Sequence, residues 1–276
     1  MSHPADYSYV AGAGVEGVLA LAGLAVLVRR RARPSREPAA LTPWAGGGAD
    51  FLLLFLLAIC GALIVPQIVG RAVRSAGLSR NARDVLAMLS SQGGLLAGVV
   101  GFHFGLGRRL ADRATGRASV WRSGAATALV AFPLIFAVTL VWQNGLLWLG
   151  LPVETQDRVQ NLIDLHSWVL RALYVGAAVV VAPVTEEAIF RAGLFRYLRG
   201  ITPRGVAIWA SALVFGLMHV DFRSPADSLA SLVPLVVLGA IFAAAYERTG
   251  RIGTTMVAHG LFNLTMALLT LLGVNA

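Results

Sequence analysis

Three short stretches in the C-terminal part of the chain carry the side chains best suited to move a proton or polarise a carbonyl. The first, Ala182-Pro183-Val184-Thr185-Glu186-Glu187-Ala188-Ile189-Phe190-Arg191, sets two adjacent carboxylates and a guanidinium in an apolar run. The second ends Phe215-Gly216-Leu217-Met218-His219, and the third reads His259-Gly260-Leu261-Phe262-Asn263. On a helix, Glu187 and Arg191 are four apart, share a face and can pair. Glu186 is turned about 100° from Glu187 and can point elsewhere. A packing ion pair needs a single acid. A second one beside it, where a charge costs about 2.5 to 3.5 kcal/mol at the bilayer centre, asks for another use. His219 taken alone reads as an interfacial residue near a helix end, and His259 with Asn263 as an interhelical hydrogen-bond pair.

Converging in a low-dielectric cavity, these groups suit hydrolysis of an amide by activated water. Glu186 is the expected general base, and His219 would hold the water and shuttle its proton. His259 and Asn263 would supply hydrogen-bond donors to the developing oxyanion, where one donor is worth roughly 10²- to 10³-fold in rate. The same set admits a second chemistry, with Glu186, His219 and His259 ligating zinc and leaving a position open for water. The residues leave both open, zinc or no cofactor at all. No His-Glu-x-x-His pair, no Gly-x-Ser-x-Gly and no Cys/His nucleophile arrangement is present.

The elements that must position these groups are membrane spans. The 276 residues are 57% hydrophobic and 13% charged, with a mean hydropathy of +0.72. Soluble domains carry about 25% charged residues, so this composition excludes a water-soluble globule, a disordered chain and a disulfide scaffold. At about 20 residues per span, eight segments are expected: Val10 to Val28, Phe51 to Val69, Val85 to Leu106, Ala125 to Trp142, Trp168 to Leu198, Gly205 to Val220, Leu229 to Tyr246, and Thr254 to Gly273. The fold class is therefore all-α, a polytopic protein of about eight transmembrane helices around an intramembrane cavity. Residues 1-150 supply about four helices nearly free of ionisable groups, and residues 151-276 the catalytic helices. Pro183 interrupts the fifth span and frees a backbone carbonyl, which a membrane tolerates only where protein or a cavity covers the break.

All 23 basic residues are arginine, against 14 acids, for a net charge of +9. They sit between apolar segments, so they read as topology determinants touching anionic lipid, with no nucleic acid implied. Fifteen arginines fall on the odd-numbered connections and six on the opposite side. That bias places both termini outside, the odd connections in the cytoplasm and the active site open to the cytoplasm. The first segment has Asp6 before it and Arg29, Arg30, Arg31 and Arg33 after it, unlike a cleavable signal peptide. Cys60 is the single cysteine. With the uniform rise of an α-helix, Glu186 and His219 come to matching depth in neighbouring antiparallel spans. His259 comes out only about 10 Å from the cytoplasmic end, so a funnel is expected to join it to the others.

In their order along the chain, Glu-Glu-x-x-x-Arg, Phe-x-x-x-His and His-x-x-x-Asn resemble the CAAX protease and bacteriocin-processing family of intramembrane proteases, also called the Abi family, which includes the type II CAAX prenyl endopeptidases. Glu186, Glu187 and Arg191 match its first motif, Phe215 and His219 its second, and His259 and Asn263 its third. Ala192 stands where a Gly is common. The resemblance covers the chain from the fifth span onward. It implies an eight-helix intramembrane fold with catalytic groups inside, and endoproteolysis of a membrane-associated peptide or protein in a bacterial-type plasma membrane. Glu186, His219, His259 and Asn263 become the catalytic candidates, with Glu187, Arg191 and Phe215 orienting them. Members described as metalloproteases and as metal-independent glutamate proteases both exist, so zinc stays open. A non-catalytic scaffold or immunity-type member of the same family is the alternative reading.

Overall fold

The computed structural model describes residues 41–42, 44–107, 119–153, 157–221 and 224–273. The expected first span, Val10 to Val28, lies outside them, as do Arg29 to Arg36 and most arginines of the third connection.

Among the described residues the chain is all-helical. Helix α1 is Gly48–Ala72, α2 Arg80–Gly107, α3 Val120–Trp148, α4 Asp157–Asp164, α5 Trp168–Ile201, α6 Arg204–Leu217, α7 Pro225–Thr249 and α8 Ile252–Leu271. Six of these (α1, α2, α3, α5, α7 and α8) are long and apolar enough to cross a membrane. This is a polytopic integral membrane protein. The expected sixth span exists as α6, but with 14 residues it is about 21 Å long, short of the roughly 30 Å hydrocarbon core. His219 therefore sits in the turn that follows the helix instead of on its last coil. Helix α4, with Leu162 and the adjoining Leu165 buried, is an addition that apolar length does not reveal.

Local sequence sets the helix ends. Ser79, Ser119 and Ser167 accept hydrogen bonds from the backbone N–H three residues on, capping α2, α3 and α5. Pro225 opens α7 at a position where its missing N–H costs nothing. Gly250, at φ +59°, closes α7 in the left-handed conformation that a side chain would disfavour. Only Arg251 separates it from α8, so the chain reverses direction there in a tight turn.

The described ends of the odd connections gather on one side. Arg196 Nε donates to the Thr42 carbonyl at 2.9 Å, Trp44 stacks on Phe102, and Gly253 abuts Val120. On that side the buried Glu247 of α7 binds Arg199 of α5 at 2.7 Å and also Arg204 of α6. These pairs stitch three helix ends together. Packing is centred on α7, whose Leu238, Phe242, Ala243 and Tyr246 are enclosed by α3, α6, α8 and the second half of α5.

Candidate active site

Helix α5 contributes the carboxylates, and it is not a regular α-helix. Two stretches, Ala177–Val181 and Ala188–Phe195, are π-helical, flanking the α-helical turn Ala182–Glu187 that bears Glu186 and Glu187. The wider π turns, closed by i→i+5 bonds, often occur at functional sites. They also use more residues per unit of helix length than the uniform α-helical rise behind the depth expectation. With α6 ending before His219, the three motifs meet around one carboxylate oxygen. The expected separation of His259 does not arise, and no funnel is needed to join it.

One oxygen lies at the centre. Glu186 Oε2 is 3.6 Å from His219 Nε2 and 3.9 Å from His259 Nε2. Each imidazole has its other nitrogen engaged. His219 Nδ1 lies 2.7 Å from the Phe215 carbonyl, and a carbonyl oxygen only accepts, so Nδ1 carries the proton. His259 Nδ1 lies 3.0 Å from Glu187 Oε1, and the carboxylate likewise takes its N–H. Both Nε2 lone pairs are thereby turned toward the Glu186 carboxylate. Three acceptors converge at separations too long for direct hydrogen bonds and suited to a bridging water. The side chains of Glu186 and His219 remain 14% and 12% exposed, while Glu186 Oε2 itself is closed off from the surface.

The orienting residues form a buried layer beneath. Arg191 Nε lies 3.2 Å from Glu187 Oε2, with both side chains sealed from solvent. The guanidinium donates to the Gly239 carbonyl at 3.3 Å and lies over the Phe215 ring at 4.4 Å and the Phe242 ring at 5.4 Å. Desolvated contacts of this kind are worth about 2 kcal/mol. Phe215 also packs against both His219 and His259. The expected Glu187–Arg191 pair is present. Glu187 does one thing more that its spacing did not indicate: through its other oxygen it fixes the tautomer of His259, the relation by which a carboxylate orients a histidine in metal and hydrolase sites.

Asn263 is placed differently from the other three candidates. Its Nδ2 donates to the Ala178 carbonyl of α5 at 2.7 Å. His259 in its Nδ1–H form has no N–H facing the Glu186 carboxylate, so it becomes an oxyanion donor only after gaining a proton on Nε2.

The donor chemistry of Glu186, His219 and His259 suits a divalent ion, with each imidazole backed by a second partner. The spacing is looser than the chemistry. A tetrahedral zinc with bonds of about 2.0 to 2.2 Å sets its ligands roughly 3.3 to 3.6 Å apart, which Glu186–His219 meets at 3.6 Å and Glu186–His259 exceeds at 3.9 Å. Among the described residues no three His, Cys, Asp or Glu side chains are drawn together as a ready metal site.

Known proteins resemble part of the chain. Residues 167–265 match the family model described as type II CAAX prenyl endopeptidase Rce1-like. Over 115 residues the chain is 30% identical to the Bacillus subtilis (strain 168) protein named "Putative membrane peptidase YdiL", an alignment taking 42% of this chain and 43% of that one. The chain thus spans under half the length of the curated relative it matches. No solved structure matches it. The family match runs from the cap of α5 into α8 and encloses all three motifs, so it is this part of the chain that is similar to the Rce1-like type II CAAX prenyl endopeptidases.

Proposed function

We propose that the chain is an intramembrane endopeptidase that cleaves a peptide bond of a membrane-associated protein or peptide with water activated by Glu186, His219 and His259. The observation that carries the reading is the convergence of one carboxylate oxygen and two Nε2 lone pairs within 3.6 and 3.9 Å, on side chains of which Glu186 and His219 keep partial exposure. A water among them donates its protons to two of the three acceptors and turns a lone pair to the substrate carbonyl. As the oxygen attacks the carbonyl carbon, Glu186 takes the proton that is released. His219 holds the water, its ring locked by the Phe215 carbonyl. Glu186 passes that proton on to His259 Nε2. The imidazolium, held by Glu187, donates a hydrogen bond to the oxyanion and then gives the proton to the departing amine as the C–N bond breaks, which returns Glu186 and His259 to their starting forms. If the resident form contains zinc, Glu186, His219 and His259 would hold it, and it would supply Lewis-acid activation of the water. Elemental analysis of purified protein distinguishes the two forms.

We place the odd connections in the cytoplasm of a bacterial-type plasma membrane. The arginine bias and the gathering of Thr42, Phe102, Arg196 and Gly253 on one side support this orientation. The test is substrate trapping with Glu186→Gln in native membranes, followed by cleavage of the captured peptide by reconstituted protein. Wild type should cut it. Glu186→Gln and His219→Ala should be slower by about 10²- to 10⁴-fold while inserting normally. Cleavage at the wild-type rate by either variant contradicts the proposal.

A further inference from the structure

The third motif has a feature that the chemistry above leaves unused, the contact of Asn263 and Gly260 with the break in α5. The Ala182 N–H donates to the Ala177 carbonyl in the π register. The Ala178 carbonyl is thereby stranded twice: its α-helical donor would be Ala182, already taken, and its π-helical donor would be Pro183, which has no N–H. A stranded carbonyl inside a membrane protein must find a partner. Asn263 Nδ2 supplies it at 2.7 Å from across the helix interface. The next carbonyl, Val179, would look to the Pro183 nitrogen in the α register, and it faces Gly260. A Cβ at that position would fall 2.7 Å from the Val179 oxygen, so only glycine lets α8 approach this closely.

We propose that Asn263 is a positioning residue. Resting on the reading of Glu186 as the base, its carboxamide replaces the hydrogen bond that Pro183 cannot make to Ala178, with Gly260 admitting the close approach, and so fixes the π-to-α transition that aims Glu186 at His219 and His259. Glu186 lies only three residues beyond Pro183 on the same α-helical turn. A shift in the register of the break therefore moves the carboxylate directly. This role assigns Asn263 a task distinct from donating to the oxyanion.

The two roles separate by epistasis. Pro183→Ala restores an N–H to α5, so it should relieve the need for Asn263 if the carboxamide serves that break. It should do nothing for a lost oxyanion donor. In detergent, Asn263→Ala should accelerate hydrogen exchange across residues 177–187 by about 10-fold, and Pro183→Ala/Asn263→Ala should return it toward wild type. This readout needs no substrate, so it holds whether or not the endopeptidase reading survives its own test. With the trapped peptide, Asn263→Ala should lower kcat by about 10- to 100-fold with KM nearly unchanged, and the double variant should recover about 10-fold of that loss. Asn263→Leu, similar in volume but with no donor at all, guards against a double variant that does not fold, and should exchange like Asn263→Ala. Wild-type exchange in Asn263→Ala or Asn263→Leu overturns the proposal, as does a double variant no faster than Asn263→Ala in catalysis and no better protected in exchange.

Discussion

The α1–α2 hairpin and the α5–α8 group are held by different physics. Helices α1 and α2 meet backbone to backbone: a Cβ on Gly61 or Gly94 would strike the opposite carbonyl, and one on Gly98 would strike Leu57. Among the described residues no ion pair joins them, and most of α1, including Leu56, Leu63 and Ile68, is exposed on the outside of the protein, where lipid can cover it. Helices α5, α7 and α8 instead bury Glu187, Arg191, Glu247 and His259. Only 11% of the apolar stretch of α1 is buried inside the protein, against 56% for α7. Lipid gives helices no hydrophobic reason to associate, so small residues and van der Waals contact hold the hairpin together, and its face bearing Leu54 and Ala58 packs on α5. Intramembrane charge is retained where it is paired and used. Substitutions should accordingly divide into those that break chemistry and charge balance in the second group and those that only loosen packing in the first.

The largest stability effect is expected at Arg191. Arg191→Leu leaves Glu187 buried without its cation and should destabilise the protein by about 3 to 5 kcal/mol, seen as a fall in Tm in detergent. Restoring neutrality with Arg191→Leu/Glu187→Gln should recover part of that loss while peptide cleavage stays low, because His259 has lost its carboxylate. If the double variant cleaves like wild type, Glu187 serves only the ion pair. Next comes Gly98→Leu, which overpacks the hairpin by about 1 to 3 kcal/mol. It should lower Tm but leave kcat near wild type, and a collapse of kcat would show the two regions to be coupled. Glu247→Gln should cost about 1 to 2 kcal/mol, a modest figure because Arg199 and Arg204 are partly exposed and can turn to water. Leu63→Ala on the outer face of α1 should fall within about 0.5 kcal/mol and marks the floor of the series.

How far the residues themselves disclosed this arrangement depended on the range of the interaction. Spans such as α1, α3 and α7 follow from apolar length alone, since lipid demands about 20 residues whatever their neighbours are. The Glu187–Arg191 pair follows from helical spacing. Pro183 marked a break, and its carbonyl needed cover. What covers it, Asn263, lies 85 residues away, and no local period encodes that distance. The Glu187–His259 contact was hidden for the same reason. The π-helical stretches of α5 have no hydrophobic signature, so a uniform rise misjudges the depth of Glu186 relative to His259. Helix α4 was missed because eight residues carrying Asp157, Gln160 and Asp164 do not register in a search for apolar spans. Glu247 carries no local signal: arginines between spans read as topology determinants, and its burial arises only when three helix ends meet.

The central claim is that Glu186, His219 and His259 enclose one shared position. An experimental map of the wild-type protein in a lipid nanodisc tests it most directly. The account predicts ordered solvent or an ion within about 3 Å of Glu186 Oε2 and both Nε2 atoms. A gap filled by an apolar side chain, or a His259 ring turned away from the carboxylate, would contradict it.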